Sequence, residues 1–528
     1  MKHLVRLCLC IALTILAGAG RAMDDPTRPP PDELRIALHN GAVTLNPALT
    51  AATATIIPGA QLFASLFRLD GSGAPQPYLA RQWHLSDDGL RLEVALVDNA
   101  RFHDGQPITA RDVAFSIRAV RDHHSYRTML AAVARVETPD PHRVVVHLHH
   151  PHPALFTALA VPLTPILPAH VFDDGRPLRT HPGNRAPIGS GPFRLAHWDP
   201  PGELVLTRVE DFFLGPARLE RLVFSYYTDI RQLILALAAG EHQFAPFLAV
   251  YAVQDFGHRL PAWLVSSGEG YQGLATYDLN LVFNLERPPW QDRRVRQAIA
   301  HALDREYLFE RVFDADHLAI GPFPPDHLFA YPVMTRYPLD EARADALLNE
   351  AGLRRDRQGQ RFEFELLLIQ GPRFEAFADY LRWTLGSRFG IGVRPVYAPD
   401  IASWQRRLMA GDFQVSIDVR LPWRDPLINL HHIYHSQGIR PGTPFGNYAR
   451  YADPGVDALL DEAARTLDPA RRSALYRRFA RRVAEDLPYL WLVNTPTRTL
   501  RHRDLDFPTD SPWAAAQPYH RVGWRARH

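Results

Sequence analysis

The sequence predicts an α/β protein folded as two or three lobes, and three observations carry that prediction. At 528 residues the chain is longer than one hydrophobic core serves, because single cores stop growing at roughly 250–300 residues. Runs that alternate with period two are interleaved with runs of helical i, i+3, i+4 spacing, the mixture expected where helices pack on sheets. Turn and cap residues punctuate those runs, among them 46 prolines, while low-complexity tracts and short repeats are absent from the sequence, which disfavours a solenoid.

Residues 1–22 read as a signal peptide. Lys2 and Arg6 form a basic start, Leu7 to Ala17 an apolar stretch, and Ala17-Gly18-Ala19 or Gly20-Arg21-Ala22 a small-residue cleavage site. The apolar run is too short for a membrane span. Both cysteines, Cys8 and Cys10, fall inside this leader, so the mature chain is expected to form no disulfide and no cysteine-based zinc site. With no cysteine at the cleavage point to carry a lipid, the expectation is a freely soluble protein exported to the periplasm. The chain carries 59 Lys+Arg against 57 Asp+Glu, and removing Lys2, Arg6 and Arg21 leaves the two signs balanced to within one charge. That balance is not the footprint of a nucleic-acid binder.

Along the chain, Leu34 to Leu38 alternates like a first strand, and Leu45-Asn46-Pro47 breaks it with turn chemistry. Leu90, Leu92, Val94 and Leu96 predict one half-buried strand, and Val144, Val146 and Leu148 another. Between them Thr109 and Asp112 have capping-box spacing ahead of the apolar face Val113, Ile117 and Val120. Further strands are predicted at Leu204 to Val209 and Arg221 to Tyr227, after the turn Gly189-Ser190-Gly191. From about residue 290, helices are predicted at Asp292 to Leu303, Asp340 to Ala351, Pro454 to Ala463 and Pro469 to Glu485, with Asp453 and Asp468 as N-caps before first-turn prolines. Phe362 to Ile369 and Phe413 to Val419 are strand candidates in this half.

Several segments, in order, carry a family resemblance. They are Tyr78-Leu79-Ala80, Ser86-Asp87-Asp88-Gly89-Leu90, and Arg101-Phe102-His103-Asp104-Gly105-Gln106-Pro107-Ile108-Thr109-Ala110-Arg111-Asp112-Val113. Later come Ile188-Gly189-Ser190-Gly191-Pro192-Phe193, Phe283-Asn284, Asp292 to Ile299, Ala302-Leu303-Asp304-Arg305, Ala346 to Gly352, and Asp425-Pro426. On these the chain resembles the extracellular solute-binding proteins, family 5, the periplasmic oligopeptide- and dipeptide-binding proteins of ABC importers. The resemblance implies a two-lobed periplasmic-binding-protein type II fold with an extra α+β domain and a clam-like cleft. It implies lobe I from residues 24–74, 187–280 and 491–528, the extra domain from 75–186, and lobe II from 281–490. It also implies no enzymatic activity, no cofactor, a peptide or peptide-like ligand, and ABC transporter permease subunits in the inner membrane as partners. A monomer is expected, and no nucleic acid. His103-Asp104-Gly105 has the composition of a tight turn and Thr109 that of a cap, so the signature itself reads as structural.

For the site, the peptide-binding members of the family pair the ligand's amine with an aspartate four residues before the proline of the Asp-Pro step. That position here is Pro422. Asp418, on the preceding strand, could substitute or could be an ordinary strand-end carboxylate. Trp423 and Arg424 share the same loop and offer an aromatic face and a guanidinium, or a merely stacked surface pair. Arg373 lies near the stretch where dipeptide binders keep an arginine for the ligand carboxylate. Asn46 and Ser190 sit in loops where they could hydrogen-bond the ligand backbone, or hold ordinary turns. His431 and His435, with His432 between them, are the one metal-like spacing and support a metal-chelate (nickel-type) cargo as the alternative ligand class. A secreted hydrolase is the distant alternative, resting on Gly189-Ser190-Gly191, which lacks the G-x-S-x-G spacing of a nucleophile elbow.

Overall fold

The protein is described here from a computed structural model covering residues 29–526, except 201, 250–252, 254–259, 268–275, 316, 326, 421, 422, 424 and 508–513. The expected signal peptide lies outside the described residues.

Strand β1 (Glu33–His39) opens the fold and is followed by a short antiparallel pair, β2 (Phe67–Leu69) and β3 (Pro75–Pro77). Next comes an antiparallel sheet of β4 (Ala80–Leu85), β5 (Arg91–Leu96), β6 (Val133–Asp140) and β7 (Arg143–Leu148), in the order β4-β5-β7-β6. Helix α1 (Ala110–His123) packs against this sheet, burying Val113, Ile117 and Val120 on one face. Its capping box is formed: Asp112 Oδ2 accepts the Thr109 backbone N–H at 2.8 Å, and Asp112 Oδ1 also accepts the Ala169 N–H at 2.9 Å.

The chain then returns to β1 through β8 (Phe193–Asp199), β9 (Glu203–Arg208), β10 (Arg221–Tyr227), β11 (Phe244–Ala249) and β12 (Leu264–Ser267). The second half contains β13 (Thr276–Phe283), β14 (His317–Leu318), β15 (Phe362–Ile369), β16 (Ile391–Ala398), β17 (Val415–Arg420) and the long β18 (Tyr489–His502). Among the described residues these twelve strands, from β1 and β8 to β18, are joined in the order β16-β15-β17-β13-β18-β11-β1-β10-β9-β8, with β12 and β14 pairing to β18 off that path.

Strand β18 makes the junction between the two lobes. Its first part, to Pro496, pairs with β13, and Thr497 to His502 pairs with β11 and β12. Each half has its own apolar core: one joins β1 and its neighbours to the β4–β7 sheet, and the other fills residues 279–493. The chain is thus built as two lobes that share β18.

The helices form where local chemistry directs. Asp292 caps Arg293–Ala302 through the Arg294 N–H, and Asp340 caps Glu341–Glu350 through the Arg343 N–H. Of the later helices, α2 (Pro426–Tyr434), α3 (Pro454–Arg465) and α4 (Pro469–Asp486) all start with a proline after an aspartate cap. The strand expected at Phe413 starts two residues later. Phe413 instead supplies a carbonyl to Asn284 Nδ2 at 2.9 Å, which fixes the turn entering β17.

Candidate functional site

Three neighbouring strands, β17, β13 and β18, bring polar side chains onto one sheet face. In register, Arg420 lies opposite Asp278, and Asp278 opposite Asn494; two residues along, Asp418 faces Asn280. A bulge between Leu279 and Asn280 then sets Asn280 opposite Trp491. Because strand side chains alternate, the segment Tyr277-Asp278-Leu279-Asn280-Leu281 puts its polar residues on one face and its leucines on the other. Buried polar side chains in the middle of a sheet are costly unless paired, so a whole row of them marks a site.

Asp418 and Arg420 neutralise each other on this face. Both are buried, at 1% and 7% exposure, and Arg420 Nε donates to Asp418 Oδ2. Burial pushes the Asp418 carboxyl up and the Arg420 guanidinium pulls it back; in turn Asp418 holds Arg420 firmly charged. The guanidinium lies over the rings of Tyr448 and Tyr489, at 5.5 and 5.2 Å, and its Nη2 donates to the Gly446 carbonyl and the Tyr489 hydroxyl. Its Nη1 is buried without a hydrogen-bond partner. On the other side of the row, Asn494 Nδ2 donates to Asp278 Oδ1 at 2.7 Å, while Asn494 Oδ1 is buried without a partner.

Over this row lies a cavity of about 30 Å3, room for a water or two in this form of the protein. Asp278, Asn280 and Arg420 line it from the polar row, Phe323 and His327 from one side, and Trp423, Tyr434 and Trp491 as aromatic walls.

Helix α2 holds the far wall. All nine of its residues are buried, and it straddles both cores: Leu427 and Ile428 join the first, Leu430, Ile433 and Tyr434 the second. Its cap, Asp425, accepts the Leu427 N–H and forms a two-pronged ion pair with Arg472 of α4, at 2.6 and 2.7 Å. Burial acts to raise the Asp425 carboxyl, but Arg472 overrides it and holds the group below the usual carboxylate range. Arg472 also donates through Nε to the Ala463 carbonyl near the end of α3, so three helices meet at the root of the Trp423 loop.

Trp423 is 3% exposed and joins the first core, meeting Tyr126, in the stretch 75–186, edge-on at 6.2 Å. Nearby, His124, which follows α1, and His432 of α2 are buried, and the charge of His432 acts on His124. Both ring nitrogens of His432 lack hydrogen-bond partners among the described residues. The stretch 75–186 and the second half of the chain thus touch at this point.

The other residues singled out in the sequence lie elsewhere. Asn46 is fully buried, with Nδ2 donating to Asn184 Oδ1 at 2.9 Å and Oδ1 accepting the Ala48 N–H, so it holds the turn after β1. Ser190 Oγ accepts the Ala64 N–H at 3.0 Å. Arg373 donates to the Phe313 carbonyl and approaches Asp314, bracing the turn there, and does not line the pocket. Arg424 and Pro422 lie outside the described residues.

The two histidines singled out by their spacing take separate partners. His435 is the C-cap of α2, its N–H donating to the His431 carbonyl at 2.9 Å. His431 bonds the Tyr476 hydroxyl at 2.9 Å, whereas His435 Nδ1 accepts the Gln437 N–H. Among the described residues no group of three histidines, cysteines or carboxylates is arranged to hold a metal ion. Asp278, Asn280 and Asn494 were not singled out from the sequence. Their signal was present as polar residues at alternate positions of an otherwise apolar strand and as Asn494 after Trp491-Leu492-Val493.

The profile of the bacterial extracellular solute-binding proteins, family 5 (Middle), matches residues 74–440, more than half of the chain. The chain belongs to this family. The oligopeptide-binding protein AppA of Bacillus subtilis is 27% identical over 436 residues, covering 77% of this chain and 76% of that protein. Among solved structures, AppA in complex with a nonapeptide superposes with a TM-score of 0.81 at 24% identity, over 94% of this chain and 99% of that one. The murein tripeptide binding protein MppA of Escherichia coli gives 0.81 at 19%, over 94% and 99%. NikZ of Campylobacter jejuni, in complex with Ni(L-His), gives 0.79 at 24%, over 92% and 96%. These structural likenesses establish that the family 5 chain shares their fold.

Proposed function

We propose that this family 5 protein captures peptides or peptide-like solutes in the periplasm, encloses them between its two lobes, and delivers them to ABC permease subunits in the inner membrane. The observation that carries the reading is the pocket at the lobe junction, where an aromatic wall faces a polar row containing Asp278, Asn280 and Arg420. Aromatic faces accept varied side chains, while the polar groups suit what all peptides share: amides and a terminal charge. AppA and MppA, named for oligopeptide and murein tripeptide binding, support the same class. In this reading lobe I is built from 24–74, 187–280 and 491–528, with 75–186 as the extra domain and 281–490 as lobe II.

A binding role without catalysis agrees with the one serine that suggested a hydrolase. Beside Ser190, His103 Nε2 donates to the Gly191 carbonyl at 3.0 Å and Nδ1 accepts the Gly189 N–H at 3.2 Å, so both ring nitrogens serve the fold rather than the serine. Burial also pulls the His103 imidazole down to about 4.

Small-angle scattering tests the reading. Protein stripped of cargo by unfolding and refolding should show a smaller radius of gyration and a higher melting temperature once a mixture of two- to six-residue peptides is added. If neither quantity moved, peptide capture would be abandoned.

A further inference from the structure

Helix α4 exposes one continuous face, Arg471, Ala474, Arg477, Arg478, Arg481 and Arg482, and no acidic residue occurs between Pro469 and Ala484. At 1.5 Å per residue these arginines run over about 16 Å. Both ends of the face are neutralised, Arg471 by Glu462 at 2.7 Å and Arg482 by Asp453 at 2.8 Å. The middle keeps its charge. Among the described residues Arg477 and Arg478 form no ion pair or hydrogen bond, and Arg481 meets an uncharged partner, the Tyr331 hydroxyl at 2.5 Å and the face of its ring. Like charges three and four residues apart disfavour a helix. Arginines of similar exposure elsewhere find carboxylates: Arg231 pairs with Asp229, Arg294 with Asp292 and Arg343 with Glu350. A general abundance of arginine therefore does not account for the three. The helix dipole favours cations only within the last turn, and Arg477 and Arg478 lie more than two turns before the end at Asp486.

We propose that this face of α4, through Arg477, Arg478 and Arg481, rests on an anionic phospholipid surface. Protein interfaces gather aromatic and aliphatic anchors at their centre and deplete charge there. The centre of this face has arginines and Ala474 and no large apolar side chain, which is the wrong composition for a protein partner. A layer of lipid phosphates asks for charge and guanidinium forks rather than for shape, and an exposed helix face supplies both. With a formal net charge of only +2 over the whole chain, attraction to such a layer has to be local. Each basic group close to an anionic bilayer strengthens binding about fivefold, so the three together give roughly a hundredfold. The attraction reaches a Debye length, about 10 Å at 0.1 M salt, and is lost when salt is raised. The inference rests on the proposed delivery to the inner membrane only for where the protein meets such a surface.

Co-sedimentation of the mature protein with lipid vesicles tests the docking face. At low salt the wild type should bind phosphatidylglycerol vesicles at least tenfold better than phosphatidylcholine vesicles, and high salt should erase the difference. The combined change Arg477→Gln, Arg478→Gln and Arg481→Gln should weaken binding to phosphatidylglycerol at least tenfold. Removing the same charge at exposed arginines elsewhere, Arg111→Gln, Arg176→Gln and Arg231→Gln, should change it less than threefold. Equal binding of the wild type to both kinds of vesicle, or equal losses in the two triple variants, would overturn the proposal. Binding to native inner-membrane vesicles with indifference to phosphatidylglycerol vesicles would overturn it in favour of a protein partner in that membrane. The rise in melting temperature on adding two- to six-residue peptides, read on the same samples, reports peptide capture separately and should be equal in all three proteins. Its absence from all three would remove peptide capture and leave the docking face standing.

Discussion

Trp423 and Asp418 lie five residues apart in the chain, and the loss of either should be felt in stability. The Trp423 ring is buried in the first core and meets Tyr126 edge-on, so Trp423→Ala should weaken peptide binding at least tenfold by calorimetry and also destabilise the cargo-free protein by about 3–5 kcal/mol in urea unfolding. Asp418→Asn removes the counter-charge of a fully buried guanidinium and should destabilise the cargo-free protein by about 3–5 kcal/mol in urea unfolding. His124 and His432 make the protein sensitive to acid. Burial, together with the charges of His432 and Arg179, holds His124 at about 3, and burial with the charge of Arg420 holds His432 at about 4. The unfolded chain therefore takes up protons below pH 6.5 that the folded chain refuses until pH 3–4. Stability from these groups is complete above pH 6.5 and falls with pH below it, by up to about 1.4 kcal/mol per pH unit for each histidine. Urea midpoints measured from pH 7.5 to 5 should decline below 6.5, and His432→Gln should flatten that decline.

At the scale of elements, the family signature proves to be a brace. His103 hydrogen-bonds both glycines of the Gly189-Ser190-Gly191 turn, and that turn in turn grips the end of the Thr53–Leu62 helix, where the Ser190 and Gly191 N–H groups donate to the Leu62 carbonyl. A Cβ at Gly189 would meet the Leu62 carbonyl oxygen at 1.9 Å. Gly189→Ala should accordingly cost roughly 1–3 kcal/mol in thermal unfolding, with peptide specificity unaltered in what remains folded. The turns and caps were legible in the sequence because their chemistry is local: Gly105 in the left-handed region at φ 86°, Asp112 three residues after Thr109, and aspartates before the first-turn prolines of α3 and α4. The brace itself was not, since His103 meets Gly189 and Gly191 across more than 80 residues of chain. The binding row was not legible in the same way. Asp278 and Asn494 are 216 residues apart and meet only because β13 and β18 pair, and the bulge after Leu279 decides which side chains share the face. Proximity in sequence carried less at His431 and His435, where one ring bonds the Tyr476 hydroxyl and the other the Gln437 N–H.

Over the whole molecule, the two lobes share one strand, β18, and meet again at α2 and the Trp423 loop, with the pocket between these two places. In the proposed role, movement of the lobes about this shared strand would give a permease a closed form to recognise. The length, the two cores and the order of strands and helices were readable from periodicity; the position of the cleft floor required the pairing of distant strands. The central claim is that the enclosed cargo is a peptide. Native mass spectrometry of the mature protein purified from its own periplasm, followed by denaturing release and identification of what it carries, tests this most directly. Peptides are the predicted cargo. A metal chelate, or any solute without peptide character, released in proportion to the protein would contradict the account.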